Sequence, residues 1–126
     1  MRIPFDKIIE VSLALAGKNP NPRYKHFSFI VDRSRIVSVG LNNQSKTHPL
    51  TRKYNYWCEN LHSELSAVIK LGEEDCSDLV IVNTRLNRNN IFRNSRFCKG
   101  CSDMCRKLNF SEMWFTNEQG EFEKYS

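Results

Sequence analysis

The sequence predicts a layered α/β domain built on a mixed sheet, and the order of its elements is the main reason. Three segments have helical periodicity and five are rich in β-forming residues, in the order helix, two strands, helix, strand, helix, two strands. Helices and strands in such an order pack as layers. The 126 residues, 40% of them apolar and 26% charged, fit one globular domain that spans 1–126.

The first half of the chain predicts a helix, a hairpin and a loop. Over residues 4–16 the apolar side chains recur at spacings of three and four, which indicates an amphipathic helix that ends at Gly17. Two β-rich runs, 26–31 and 36–41, are separated by four polar residues, as in a hairpin. Residues 42–60 are polar and lack periodicity, so they predict a long surface loop.

The second half predicts two helices and three strands. Residues 62–71 have one apolar helical face and stop at Gly72, and 98–108 form the next helix. The run 78–84 is apolar enough for a strand that is buried on both faces. The basic, Asn-rich connection 85–97 has room for a small hairpin. The final strands are expected at 112–116 and 121–125, with a turn between them.

Composition limits the class of protein. No apolar run is long enough to span a bilayer, and the first residues lack a signal-peptide pattern, so we expect no membrane partner and a cytoplasmic location. The five cysteines are an odd number, and in a reducing compartment a Cys-x-x-Cys pair indicates metal binding or redox chemistry. The net charge of +5 favours an anionic partner, although many small basic proteins bind neither nucleotides nor nucleic acid.

Two short motifs carry the chemistry. His62-Ser63-Glu64 and Cys98-Lys99-Gly100-Cys101 are 36 positions apart and offer one imidazole, two thiolates and one carboxylate. Catalytic zinc takes three protein ligands and keeps one position open for water. Because each motif begins a predicted helix, the positive helix ends favour thiolates, and the i, i+3 spacing brings both sulfurs to one side. We therefore predict that His62, Cys98 and Cys101 bind zinc and that Glu64 carries protons.

This pattern resembles the cytidine and deoxycytidylate deaminase superfamily, whose signature is H-x-E followed by P-C-x-x-C. The resemblance covers roughly residues 25 to 125, and Phe97 stands where the family has proline. Gly40-Leu41-Asn42 is similar to the family's Gly-x-Asn, and the segment 94–98 is similar to small members encoded by phages and other viruses. The resemblance implies a three-layer α/β/α domain with a five-stranded mixed sheet whose last two strands form an antiparallel hairpin.

The same resemblance implies a function. It is the zinc-dependent hydrolysis of a cytosine base to uracil in a free nucleoside or nucleotide, of cytidine, deoxycytidine or dCMP type, with one zinc ion per chain. Glu64 would transfer the protons, Asn42 would contact the sugar or base, and the backbone amide of Ser63 would hold the pyrimidine carbonyl. Relatives assemble as dimers or tetramers, so we expect a homo-oligomer, located in the host cytoplasm if the chain is viral.

Three further residues are candidates for substrate binding, each with a structural alternative. His48 lies in the predicted loop, where substrate contact and loop packing are equally open. Tyr54 could stack on a base or cover the core. Arg96 belongs to a basic cluster that either binds phosphate or forms a solvated surface, with Arg85, Arg88, Arg93 and Lys99. His26, Cys76 and Cys105 are interpreted as structural residues.

Two other functions stay open at this point. The basic connection and the aromatic residues of the loop also fit a deaminase that acts on cytosine or adenine in single-stranded DNA or RNA. A non-catalytic zinc module that binds nucleic acid or protein would instead close the metal site with Cys58 as a fourth ligand. That closed site gives Glu64 no role.

Overall fold

The architecture is described by a computed structural model that covers residues 2–18, 25–42 and 62–126. The described residues form three α-helices, α1 (Phe5–Leu15), which continues into a 3-10 turn at Ala16–Lys18, α2 (Ser63–Leu71) and α3 (Lys99–Lys107). The same residues form five strands, β1 (Lys25–Asp32), β2 (Arg35–Leu41), β3 (Val80–Leu86), β4 (Glu112–Thr116) and β5 (Phe122–Lys124). The predicted order of helices and strands is confirmed.

The strands form one mixed sheet in the order β2-β1-β3-β4-β5. The β3–β4 pair is parallel and the other neighbours are antiparallel. Parallel neighbours need a crossover connection, and α3 lies in the segment that joins β3 to β4. The predicted five-stranded mixed sheet with a final antiparallel hairpin is therefore confirmed.

Helices cover the sheet on both sides, which gives the predicted three layers. One side, the α1 face, packs α1 residue Ile8 against strand side chains such as Phe27, Phe29 and Val82. The opposite side, the site face, packs α2 and α3 against a second core. The buried side chains of this core include Ile30, Leu65, Ile81, Cys101, Met104, Met113 and Phe115. Because strand side chains alternate, neighbouring residues of β1 and β3 serve different faces.

Gly40 lets α2 approach the sheet closely. A Cβ atom at this position would collide with the carbonyl oxygen of Ser63 and the backbone nitrogen of Ala67. Two residues earlier in β2, the Ser38 hydroxyl donates to the Ala67 carbonyl oxygen at 2.7 Å. The glycine of the predicted Gly-x-Asn segment thus has a packing role, which is to seat the first turns of α2 on the edge strand.

The predicted boundaries are corrected in several places. Strand β3 begins at Val80 and ends at Leu86, so the predicted range 78–84 is wrong at both ends. The β1–β2 connection is a turn in which Arg33 and Ser34 have φ of 49° and 70°, the left-handed values that tight hairpins use. In the 85–97 connection, a bridge between Leu86 and Phe92 closes the small hairpin.

One sequence prediction lies almost wholly outside the described residues. The predicted loop 42–60 is described only at Asn42. Within the residues that are described, no helix combines the length and the apolar character needed to cross a membrane.

Candidate metal and catalytic site

The predicted ligands lie at the starts of two helices. His62 is the N-cap of α2 and Cys98 the N-cap of α3, both with extended backbone, so each helix begins one residue later than its motif. The Cys98 sulfur accepts a hydrogen bond from the Cys101 backbone N–H at 3.4 Å, as polar N-cap side chains do. The ligand positions therefore follow from local helix capping as well as from the overall fold.

The three side chains fit a tetrahedral zinc ion. The ligand atoms of His62, Cys98 and Cys101 all lie within 4.8 Å of one another. The His62 Nδ1 atom is 3.6 Å from the Cys98 sulfur and 3.4 Å from the Cys101 sulfur. Usual zinc–nitrogen and zinc–sulfur bond lengths give a tetrahedral N–S edge of about 3.6 Å. These three residues can hold zinc, and no fourth His, Cys, Asp or Glu side chain among the described residues joins the group.

The cysteines of this region differ in protonation. A hydrogen bond with the Cys101 side chain is the largest cause that lowers the pKa of Cys98 to about 5, against the opposing effect of burial, and His62 adds to the lowering. Burial raises the pKa of Cys105 well above its ordinary value. Burial also raises the pKa of Cys76 to about 11. Cys98 thus favours a thiolate that can bind metal, whereas Cys76 and Cys105 stay protonated among the core side chains.

Glu64 is a buried carboxylate in the first turn of α2. It is only 6% exposed, and both of its oxygens accept hydrogen bonds. The Ser63 hydroxyl donates to Oε1 at 3.1 Å and the Asn83 side-chain amide donates to Oε2 at 2.9 Å. A carboxylate that is held in this way beside a candidate zinc site has the position and the chemistry of a proton carrier.

Sequence reasoning missed the polar side chains that surround Glu64. The Asn83 amide also donates to the Ser95 carbonyl oxygen at 3.3 Å, and its Oδ1 accepts from the Ser28 hydroxyl at 2.6 Å. Ser28 and Ser63 are joined by a hydroxyl–hydroxyl bond of 2.8 Å. The available signal was an asparagine in a strand that the sequence predicts to be buried on both faces, because a buried amide requires partners.

A second group of residues lies next to this network on the site face. His26 of β1 pairs with Arg85 of β3, one alternation step beyond the Ser28–Asn83 pair. Burial lowers the pKa of His26 to about 4, with Arg85 and His62 adding to the lowering and Glu64 opposing it. The His26 backbone N–H donates to Asn42 Oδ1 at 3.0 Å, so the predicted substrate residue Asn42 is fixed beside it.

Phe97, the residue that replaces proline, is a core side chain. It is 5% exposed, and its ring meets that of Tyr125 edge-on at 5.3 Å between centroids. The guanidinium of Arg96 lies 4.9 Å from the centre of the same Tyr125 ring and 5.6 Å from that of Phe115. Arg96 is exposed, and its role in substrate binding stays a prediction.

The remaining candidate residues fall outside the described residues. These are His48 and Tyr54, the two loop candidates for substrate binding, and Cys58, the fourth ligand of the closed zinc site.

Comparison with known proteins identifies the fold. No protein-family model matches the chain, and no curated protein matches it. Among solved structures, the chain is similar to the apo form of dCMP deaminase from the cyanophage S-TIM5. The two superpose with a TM-score of 0.63 over 94% of this chain and 86% of that chain, at 18% sequence identity. The two chains therefore share a fold, and the predicted deaminase-like architecture is confirmed.

Proposed function

We propose that this chain is a zinc-dependent hydrolytic deaminase of the cytidine and deoxycytidylate deaminase superfamily, which converts cytosine to uracil in a free nucleoside or nucleotide. One observation carries the proposal: the His62, Cys98 and Cys101 ligand atoms lie within 4.8 Å of one another. Beside them is a buried carboxylate, Glu64, whose two oxygens are both held. The fold shared with a phage dCMP deaminase supports the same class of reaction.

Each protein group has a part in this reaction. Zinc, when bound by His62, Cys98 and Cys101, supplies the Lewis acidity that lowers the pKa of a water molecule toward neutrality. Glu64 takes a proton from the attacking water, delivers it to the ring nitrogen and assists the departure of ammonia. The backbone N–H of Ser63, in the first turn of α2, is assigned to the pyrimidine carbonyl. The Asn42 side chain is assigned to the sugar or the base.

The decisive test is ammonia release by the zinc-loaded protein from a panel of nucleosides, mono- and triphosphates and short oligonucleotides. We expect at least one free cytosine compound to yield its uracil product. The matched control is Glu64→Gln, which keeps the size of the side chain but removes its basicity. It should lower kcat by about 1,000-fold, within the range for general acid–base catalysis, and retain one zinc ion per chain. Absence of ammonia from every cytosine and adenine compound would refute the proposal.

Deamination within single-stranded nucleic acid is the second candidate. The observation in its favour is a group of exposed cationic side chains in the connection from β3 to α3 and at the start of α3, namely Arg88, Arg93, Arg96 and Lys99. Neutralisation of phosphates releases counterions, so binding of an oligonucleotide should weaken steeply as salt rises, whereas binding of a mononucleotide should respond weakly. A flat salt response would exclude the polynucleotide substrate.

The proposal also includes the domain organisation, the assembly and the location of the enzyme. A single domain that spans 1–126, with one zinc ion per chain, would assemble as a homodimer or homotetramer in the cytoplasm, which is the host cytoplasm if the chain is viral. Light scattering of the purified protein measures the assembly, and a monomeric mass at assay concentration would refute the proposed homo-oligomer.

A further inference from the structure

We infer that Asn83 is the positioning residue of the proton carrier, because its side-chain amide fixes the Glu64 carboxylate from the sheet. This inference rests on the proposed deaminase function. Its basis is a set of buried hydrogen bonds that connects β1, α2, β3 and the β3–α3 connection at Glu64. Such a role concerns orientation, since Asn83 is assigned no contact with the substrate.

The hydrogen bonds define the orientation of the Asn83 amide. Its nitrogen faces two acceptors, Glu64 Oε2 at 2.9 Å and the Ser95 carbonyl oxygen at 3.3 Å. Its oxygen faces a donor, the Ser28 hydroxyl at 2.6 Å. In the reversed orientation the amide oxygen would face two acceptors, and Ser28 would face an NH₂ group. The amide therefore always offers a donor to Glu64.

The hydroxyls of Ser28 and Ser63 extend this support to the second carboxylate oxygen. Ser28 uses its one hydrogen on Asn83 Oδ1. The 2.8 Å contact between the two serines then requires Ser28 to act as the acceptor, and the Ser63 hydrogen is shared between Ser28 and Glu64 Oε1. Asn83 is the stronger anchor of the carboxylate, because its amide has a separate hydrogen for each of its two acceptors.

Asn83 lies on β3, the central strand of the sheet. Strand β3 has partners on both sides, and Asn83 lies opposite Ser28 of β1 and Phe115 of β4. Its own carbonyl oxygen accepts from the Ser95 hydroxyl at 2.9 Å, and the residue is 3% exposed. Glu64 belongs to the first turn of a helix, so the contact from the central strand links the carboxylate to a second, rigid element. Supporting contacts of this kind keep reactive groups in geometry.

Asn83→Leu tests the inference, because leucine has the same number and branching of side-chain heavy atoms as asparagine. It removes the NH₂ group that faces Glu64 without adding a second carboxyl group, which would share a proton with Glu64 and so remain a donor. We expect kcat to fall by about 100-fold, as misplacement of a catalytic group by about 1 Å does, with KM changed less than about threefold. Zinc content and the thermal midpoint of unfolding, measured on the same samples, separate loss of positioning from loss of folded protein.

The matched control is Thr84→Val, the next residue of the same strand. Thr84 is fully buried like Asn83, but its hydroxyl pairs with Ser12 on the α1 face at 2.8 Å. We expect this variant to lower the thermal midpoint while kcat and KM stay at the wild-type values. Equal losses of kcat in the Thr84 and Asn83 variants would reduce the role of Asn83 to stability and overturn the inference.

Ser28→Ala is the second variant and decides the question if Asn83→Leu does not fold. It deletes one hydroxyl and leaves the Asn83 amide without its oriented donor, so we expect kcat to fall by about tenfold with zinc retained, as for other supporting contacts. Wild-type kcat in Ser28→Ala, or in a folded Asn83→Leu protein, overturns the inference while the proposed function stands. Absence of ammonia from the wild-type protein removes the proposed function itself.

Discussion

The two faces of the sheet bury polar groups for different purposes. On the α1 face, the Ser12 hydroxyl donates to the Ile8 carbonyl oxygen, and Thr84 completes a closed hydroxyl pair at 2.8 Å. On the site face, Asn83 precedes Thr84 in the same strand, yet its hydrogen bonds lead to the carboxylate of Glu64. The first arrangement satisfies buried atoms within a core, whereas the second orients an acid.

This difference teaches that adjacent residues of β3 can have separable effects. A buried hydroxyl pair contributes about 1 kcal/mol of stability and nothing further. A network that ends at a carboxylate contributes the same kind of stability and also fixes the geometry of Glu64, the proposed proton carrier. Changes to the Ser12–Thr84 pair on the α1 face should therefore alter unfolding alone, while changes to the metal ligands or to the network around Glu64 should alter zinc binding or turnover as well.

The largest expected effect comes from the metal ligands. Cys101→Ser should lower zinc affinity by more than about 100-fold, since loss of a supporting contact to a metal ligand alone costs 10- to 100-fold. Cys105→Ser is the matched control, because it changes a buried thiol of the same helix that points into the core. It should lower the free energy of unfolding and keep zinc. Competition with a chelator measures both affinities, and zinc loss in Cys105→Ser alone would contradict the ligand assignment.

Gly40→Ala should destabilise the packing of α2 on the sheet through a steric clash alone. The added Cβ would collide with backbone atoms of Ser63 and Ala67, which cannot rotate away, so α2 must shift from the sheet. Overpacking at such a contact costs about 3 kcal/mol of unfolding free energy, measured by urea denaturation.

Gly17→Ala is the control for Gly40→Ala. A Cβ at Gly17 meets no heavy atom within 4 Å, so this variant should unfold at nearly the wild-type urea concentration. Replacing glycine by alanine at an ordinary φ restricts the unfolded chain and does not by itself destabilise the fold. Equal destabilisation by the two alanines would therefore contradict the close approach of α2 as the cause.

Sequence patterns could predict the order of elements and the helix starts at which the candidate metal ligands lie, because both are local. Helical periodicity and the N-cap positions of His62 and Cys98 depend on neighbouring residues. The supports of Glu64 could not be predicted in the same way. Asn83 is 19 residues from Glu64 and 55 from Ser28, so only folding brings their side chains together.

The ends of β3 and the residue before α3 also depend on contacts between residues that are distant in sequence. The apolar run predicted β3 two residues too early, because the strand begins only at Val80 and continues through Leu86. The added residue Arg85 is polar, and its guanidinium donates to the Asn94 carbonyl oxygen outside the strand. Phe97 broke the expected proline pattern, yet α3 still begins with Cys98 as its N-cap. The Phe97 ring packs against the ring of Tyr125, which is distant in sequence, so this position has a role in core packing.

The smallest predicted effect is the dependence of stability on pH that His26, on the site face, should cause. The α1-face pair Ser12 and Thr84 should cause none, because hydroxyls do not ionise in this range. Burial is the main cause that lowers the pKa of His26 from 6.5 to about 4. As pH falls through 6.5, the unfolded chain binds a proton at His26 that the folded chain does not bind until about pH 4. This contribution to stability is therefore complete above pH 6.5 and is lost between pH 6.5 and 4.

The pH prediction is tested by comparing urea unfolding of the wild-type protein with that of His26→Gln. Over that interval the wild type should lose about 2 kcal/mol more than the variant, because glutamine does not titrate. Acid release of zinc affects both proteins and cancels in the difference. Thr84→Val, on the α1 face, should follow the wild-type pH curve, since hydroxyls do not ionise in this range. Parallel curves for wild type and His26→Gln would show that His26 ionises with an ordinary pKa in the folded protein.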